Sequence, residues 1–130
     1  MKKSINKVIK KEKKLVKREF YNITFNLIFA FLTLFIPIIF KKYIILATIL
    51  LSLISIIALF KWKSAITFLI FLFGALWGPL SEMIAIYFNV WNYSYANFIN
   101  IPIWLFIVWG NAAAFLYQTG LEIKKLGVKK

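Results

Sequence analysis

Residues 43–60 read YIILATILLSLISIIALF, an apolar run without a charged side chain. Lys41 and Lys42 precede the run, and Lys61-Trp62-Lys63 follows it. An α-helix needs about 20 apolar residues to cross a bilayer core of roughly 30 Å, and this run is close to that length. The stretch therefore predicts a transmembrane helix with lysines at both ends.

Three more stretches extend this pattern. The four predicted spans cover about residues 20–40, 43–60, 64–89 and 102–123. Hydrophobic residues make up 62% of the chain, and the mean hydropathy of +0.81 is far from that of a soluble domain. We predict an all-α fold, a four-helix transmembrane bundle over residues 20–123. A basic amphipathic segment precedes it at residues 1–19, and a basic tail follows at residues 124–130.

Basic residues are unevenly distributed along the chain. With the N-terminus inside, the inner segments hold 15 of the 17 basic residues: nine in residues 1–19, Lys61 and Lys63, and four in the tail. The outer segments hold only Lys41 and Lys42. Because lysine and arginine are retained on the cytoplasmic side, this asymmetry predicts a multi-pass protein of the cell membrane with both termini cytoplasmic. We expect a prokaryotic source.

The N-terminal segment MKKSINKVIKKEKKLVKRE predicts contact with lipid. Its apolar and acidic residues recur at the spacing of one helix face: Ile5, Val8, Ile9, Glu12, Leu15, Val16 and Glu19. One interpretation is a helix on the membrane surface whose lysines face anionic headgroups. The other is a solvated tail that only fixes topology.

Nucleic acid is not an expected partner, because Arg18 is the only arginine among the basic residues and nucleic-acid sites favour arginine. A homo-oligomer stays open, since 130 residues can form half of a dimeric transporter.

The chain contains neither cysteine nor histidine. Disulfides, thiol nucleophiles and the commonest metal ligand are therefore excluded, and we predict no metal and no cofactor.

One carboxylate falls inside a predicted span. Residues 74–91 read GALWGPLSEMIAIYFNVW and contain Glu82. A charge near the bilayer centre costs roughly 3 kcal/mol, so it normally faces a partner inside the protein. Glu82 lies nine residues before Trp91, and Asn111 lies nine residues after Pro102. Both would then lie about 13 Å below the outer boundary. The sequence predicts that Glu82 and Asn111 face each other.

The Gly78-Pro79 pair next to this carboxylate has two interpretations. Pro79 can kink a continuous helix whose freed carbonyl is satisfied by neighbouring groups. Alternatively, the helix restarts at Pro79, and its positive end then stabilises Glu82. Gly74 and Gly78 also form a GxxxG packing motif.

Small and polar residues form a stripe on each span and predict its contact face. The stripes comprise Asn22, Asn26 and Thr33; Thr48, Ser52 and Ser55; Ala75, Gly78, Glu82, Ala85 and Asn89; and Gly110, Asn111, Ala114 and Gln118. An aromatic belt is predicted at the outer interface, formed by Trp91, Tyr93, Tyr95, Phe98 and Trp104.

The predicted ligand-binding residues are Glu82, Asn111, Trp77, Trp109 and Gln118, with Glu82 also the candidate catalytic residue. For the tryptophans, lipid-facing or core packing is the alternative.

The order of Glu82, Trp91-Asn92-Tyr93 and Ile101-Pro102-Ile103-Trp104 resembles small carotenoid-modifying membrane proteins, the lycopene cyclases and carotenoid hydratases. The resemblance covers about residues 82–117. These families pair an intramembrane acidic residue with a W-x-Y element and a later proline motif. The cyclases place carboxylates directly after that proline, where this chain has Ile103-Trp104-Leu105. The resemblance implies protonation of an isoprenoid double bond by Glu82, without a second acid.

Three functions follow as hypotheses. The first is a membrane protein that holds a hydrophobic ligand or a cation near Glu82 and Asn111. The second is an isoprenoid- or lipid-modifying enzyme with Glu82 as general acid, kept neutral by burial. The third is a structural or assembly protein of the membrane, so that enzymatic activity is left open.

Overall fold

The computed structural model describes residues 1–127 and is all-α in that range, as predicted. Its four helices are α1 (Lys2–Ile39), α2 (Ile44–Trp62), α3 (Ala65–Tyr87) and α4 (Trp104–Lys125). Apart from the start of α1, their ends lie close to the predicted span limits. Pro102, the first residue of the last predicted span, lies just before α4. Of the predicted basic tail, residues 128–130 lie outside the described residues.

The basic N-terminal segment and the first predicted span form one helix. α1 has 38 residues and no interruption near Glu19, where the sequence predicts a boundary. At 1.5 Å per residue, such a helix is about 57 Å long, roughly twice the thickness of a bilayer core. The N-terminal half of α1 thus continues the helix of the first span instead of forming a separate element.

α3 passes through Pro79 without restarting. The helix is continuous from Ala65 to Tyr87, and the Ser81 hydroxyl donates to the Gly78 carbonyl at 2.6 Å. A restart at Pro79 is therefore wrong, and the kink interpretation is the one compatible with a continuous helix. Because Glu82 lies within α3, no free helix start stabilises its charge. Its stabilisation must come from side-chain donors.

α4 is the central helix, since it packs against α1, α2 and α3 more extensively than any other helix does. It runs antiparallel to α1, because Asn111 bonds Thr33 while Thr119 bonds Asn26. Its buried residues are Leu105, Gly110, Asn111, Ala114, Gln118 and Glu122. The stripe predicted on this helix is confirmed as a buried face. We call the end of the bundle that carries residues 40–43 and 88–103 the loop end.

Polarity is inverted relative to a soluble protein. Large apolar side chains are exposed along the helices, whereas the buried polar residues are Glu19, Asn26, Thr33, Ser55, Thr67, Asn111, Gln118 and Glu122. Within the described residues, α1, α2 and α3 are long and apolar enough to cross a membrane. An apolar exterior around small and polar contact faces is typical of membrane helices. The fold therefore supports a membrane protein.

Candidate functional site

Glu82 lies near the loop end of α3, five residues before the helix ends at Tyr87. Both of its carboxylate oxygens accept hydrogen bonds. Tyr93 donates its hydroxyl to Oε1, and Trp109 donates its indole Nε1–H to Oε2 at 2.5 Å. Hydrogen bonds to an ionised acceptor are short and about twice as strong as neutral ones. Glu82 therefore joins α3, α4 and the loop between them.

Glycines of α3 bring Trp109 to this carboxylate. A Cβ on Gly78 would overlap Cγ, Cδ2 and Cβ of Trp109. One turn earlier, a Cβ on Gly74 would lie 2.8 Å from the Trp109 carbonyl oxygen. Residues four apart share a helix face, so the indole that lies over Gly78 reaches Glu82 one turn further on. The GxxxG pair therefore forms the surface against which Trp109 packs.

The loop after α3 brings Tyr93 to the same carboxylate. Asn89 takes a left-handed conformation with φ of 61°, and its N–H bonds the Ile86 carbonyl at 2.9 Å, so the chain turns at the end of α3. The Tyr93 ring packs edge-on against Trp104, with centroids 6.2 Å apart. Burial raises the pKa of the Tyr93 hydroxyl, and the hydrogen bond to Glu82 raises it further. Tyr93 thus acts as a neutral donor.

A role of Glu82 as general acid stays a prediction. A general acid carries the proton that it transfers, and a protonated carboxyl oxygen becomes a donor. Here Oε2 faces the Trp109 indole, which can only donate, whereas the Tyr93 hydroxyl at Oε1 can both donate and accept, so a protonated Glu82 also fits this geometry. The arrangement suits a carboxylate that holds the loop in place.

A cavity of about 540 Å³ adjoins this carboxylate group at the loop end. The last turn of α3 forms one wall, and the loop forms the other. Its lining residues are Met83, Ile86, Tyr87, Asn89, Asn92, Tyr93, Ala96, Ile99 and Asn100. Volumes of roughly 300–1,000 Å³ are typical of small-molecule sites. Tyr93 lines the cavity with its ring and bonds Glu82 with its hydroxyl.

Asn111 does not face Glu82, so the predicted pairing is wrong. Asn111 is fully buried and accepts from Ser55 at 2.6 Å, while its amide donates to Thr33 at 3.1 Å. It therefore connects α4 to α2 and α1. The stripe residues Thr33 and Ser55 are confirmed as contact residues.

The pairing fails for two physical reasons. Glu82 lies five residues from the end of α3, whereas Asn111 lies seven residues after the start of α4 at Trp104. Their depths therefore differ by about 3 Å. More importantly, successive residues on a helix point about 100° apart. Trp109 turns toward α3, and Asn111 points to the other side of α4.

Gln118 belongs to a second polar cluster at the end opposite the loop. The hydroxyl of Thr67 donates to its amide oxygen at 2.9 Å, and its NH₂ contacts Glu122 at 3.5 Å. Asn26 donates to Thr119 and accepts from the Trp62 indole at 3.0 Å. This cluster packs four helices together far from Glu82.

The five residues predicted to form one ligand site are thus separated. Trp109 contacts Glu82, Asn111 and Gln118 lie elsewhere in the interior, and Trp77 is 60% exposed and packs near Phe73. Trp77 points away because five residues on a helix turn the direction by about 140°. Whether any of the five binds a ligand stays a prediction.

Three residues have positions that the sequence did not predict. Tyr93 was assigned to the aromatic belt, yet it is a partner of Glu82. Glu19 and Glu122 lie near the ends of predicted spans but are buried. The available signal was their spacing: Glu19 precedes Asn22 by three residues, and Glu122 follows Gln118 by four, so each extends a polar stripe.

The chemistry of this site is carboxylate, phenol, indole and amide. Among residues 1–127, no group of three or more histidine, cysteine or acidic side chains could hold a metal ion. No family model, curated protein or solved structure matches the chain, so the resemblance to carotenoid-modifying proteins stays a prediction.

Proposed function

We propose that this chain is a small multi-pass membrane protein that binds an amphipathic, lipid-type ligand in the cavity between α3 and the loop. The observation that carries the proposal is the double role of Tyr93. Its ring lines the cavity of about 540 Å³, and its hydroxyl is held by Glu82. The carboxylate therefore fixes one wall of the ligand site without contacting the ligand.

The lining of the cavity supports an amphipathic ligand. Asn89, Asn92 and Asn100 offer amides that can bond a polar headgroup. Met83 and Ile86, on the last turns of α3, offer apolar surface for a chain. A cavity that combines apolar walls with a few polar groups fixes the orientation of its ligand. A bare cation is less well matched, because both oxygens of the nearest carboxylate already accept hydrogen bonds.

The proposal places all four helices across the membrane with both termini cytoplasmic. α4 is 22 residues long, which corresponds to about 33 Å, and it runs antiparallel to α1 inside the bundle. Its neighbours cover its polar face, so it needs less apolar sequence than they do. Most basic residues lie away from the loop end, and this excess places the opposite end of the bundle in the cytoplasm. The N-terminal lysines also attract anionic lipid.

Cysteine labelling tests this topology, because the chain contains no cysteine. We expect Ser94→Cys to react with a membrane-impermeant maleimide added to intact cells. Ser4→Cys and Lys124→Cys should react only after the membrane is permeabilised. The cysteine-free wild type controls for background. Equal external reactivity of positions 94 and 124 would contradict the crossing of α4.

Loss of the Tyr93 hydroxyl tests the ligand site. We expect native mass spectrometry of the wild-type chain, purified in a mild detergent, to detect bound lipid from the expression host. In Tyr93→Phe and Glu82→Gln, lipid occupancy should fall about tenfold, because a hydrogen bond to a charged group contributes roughly 1.5–3 kcal/mol. Affinity for re-added host lipid extract should fall equally.

Tyr117→Phe is the matched control for this experiment. Tyr117 carries the same phenol on α4 but does not line this cavity. Its variant should retain lipid like the wild type. The proposal fails if the wild type carries no stoichiometric lipid, or if the Tyr93 and Tyr117 variants behave alike. Isoprenoid product in cells that express the wild type but not Glu82→Gln would instead favour the enzyme hypothesis.

A further inference from the structure

We propose that a second cavity at the loop end binds a phosphate group. It has a volume of about 350 Å³ and lies between the end of α1, the loop and the start of α4. Its lining residues are Pro37, Ile38, Lys41, Asn92, Tyr93, Ser94, Tyr95 and Trp104. Asn92 and Tyr93 also border the first cavity, but α1 contributes only to the second. The two sites are therefore separable by substitution in α1 and in the turn after it.

The charge of this lining favours an anion. Lys41 is its one charged residue, and no carboxylate is among the residues that line it. Ser94 and Asn92 add a hydroxyl and an amide that can donate to an oxygen. The cavity also lies at the start of α4, where the partial positive charge of a helix favours anions. Lysine with several neutral donors is a combination that binds phosphate.

Trp104 provides an independent observation. Its indole Nε1 is buried and has no hydrogen-bond partner in the described part of the chain. An indole N–H can only donate, and a buried donor without an acceptor is unfavourable. Trp104 lines this cavity, but its buried Nε1 does not open onto it, so the ring must turn about its side-chain bonds before the N–H can donate to a bound phosphate.

Phosphate chemistry has two sources at a membrane boundary, a phospholipid headgroup and a soluble phosphate ester. The position of the cavity favours the lipid. Ile38 lines it and is 55% exposed, and Leu34, one turn earlier on α1, is 58% exposed. Acyl chains could follow this apolar ridge while the headgroup occupies the cavity.

Calorimetric titration of the full chain in neutral detergent distinguishes the sources. The probes are short-chain phosphatidylglycerol, glycerol 3-phosphate and inorganic phosphate. Lipid binding that Lys41→Gln weakens, at concentrations where the two soluble probes show none, would assign a lipid headgroup to this cavity, because Lys41 does not line the first one. Comparable binding of a soluble probe would assign a free phosphate site. No saturable binding of any probe to the wild type would overturn the proposal.

Adjacent lysines provide a matched pair of variants. We expect Lys41→Gln to weaken binding of the tightest probe about fivefold. Lys42→Gln should leave it unchanged, because Lys42 borders a different cavity, with Tyr43 and Asn97. Trp104→Phe, which keeps a ring but removes the N–H, should weaken it about tenfold. Equal losses in the two lysine variants would show non-specific attraction and overturn the proposal.

Discussion

Substitution of Gly78 by alanine should lower the free energy of unfolding by about 3 kcal/mol. The new Cβ would overlap the base of the Trp109 side chain, at Cβ, Cγ and Cδ2, which cannot move without moving α4. Two losses then combine. The tight packing of α3 on α4 is forced apart, and the indole is pulled away from the Glu82 carboxylate, which it contacts at 2.5 Å.

Equilibrium unfolding in mixed micelles with increasing dodecyl sulfate, followed by far-ultraviolet circular dichroism, measures this change. Gly120→Ala is the control, because Gly120 also lies in a helix but a Cβ there would meet nothing within 4 Å. In that variant, the higher helix propensity of alanine should stabilise the fold by up to about 1 kcal/mol. If both alanine variants shift unfolding in the same direction, the close approach at Gly78 is not a major source of stability.

The helices were predictable because charge and apolarity alternate along the chain in long blocks. α2 ends at Trp62 between two lysines, and the next helix begins where the Ser64 hydroxyl accepts from the Thr67 N–H at 3.1 Å. Such signals are local, so they appear in the sequence itself. The limits of α2, α3 and α4 follow from them to within a few residues.

The partners of Glu82 were not predictable by the same means. Trp109 faces it because of the direction in which α4 is rotated, which depends on packing against all three neighbours. Tyr93 reaches it from an irregular loop, where no periodicity indicates which side chain turns inward. Depth alone selected Asn111, and depth does not distinguish the two sides of a helix. Glu122 was also not predictable: it lies near a helix end, where charged residues are normally exposed, but it is buried inside the bundle.

Asn111→Ala should lower the free energy of unfolding by about 2 kcal/mol. Asn111 is fully buried and bonds Thr33 of α1 and Ser55 of α2, so one substitution removes contacts to two helices. Interhelical hydrogen bonds in membrane proteins contribute about 0.6 kcal/mol each on average, and the vacated volume adds to the loss. The dodecyl sulfate titration proposed for Gly78 provides the measurement.

A double-mutant cycle separates the Asn111–Ser55 bond from general effects of truncation. Asn111→Ala combined with Ser55→Ala should show a coupling free energy of about 1 kcal/mol. Ser52→Ala is the matched partner, because Ser52 lies one turn earlier on α2 and donates to the Thr48 carbonyl of its own helix. Its coupling to Asn111→Ala should be close to zero.

The same variant distinguishes a structural Asn111 from a ligand residue. If Asn111 only joins helices, Asn111→Ala unfolds more readily but, while folded, retains lipid at the occupancy of the wild type. Tyr93→Phe should show the opposite pattern, with lipid lost and a smaller change in unfolding. If Asn111→Ala instead loses lipid without losing stability, Asn111 belongs to the ligand site. That result would contradict the separation of Asn111 from the Glu82 site.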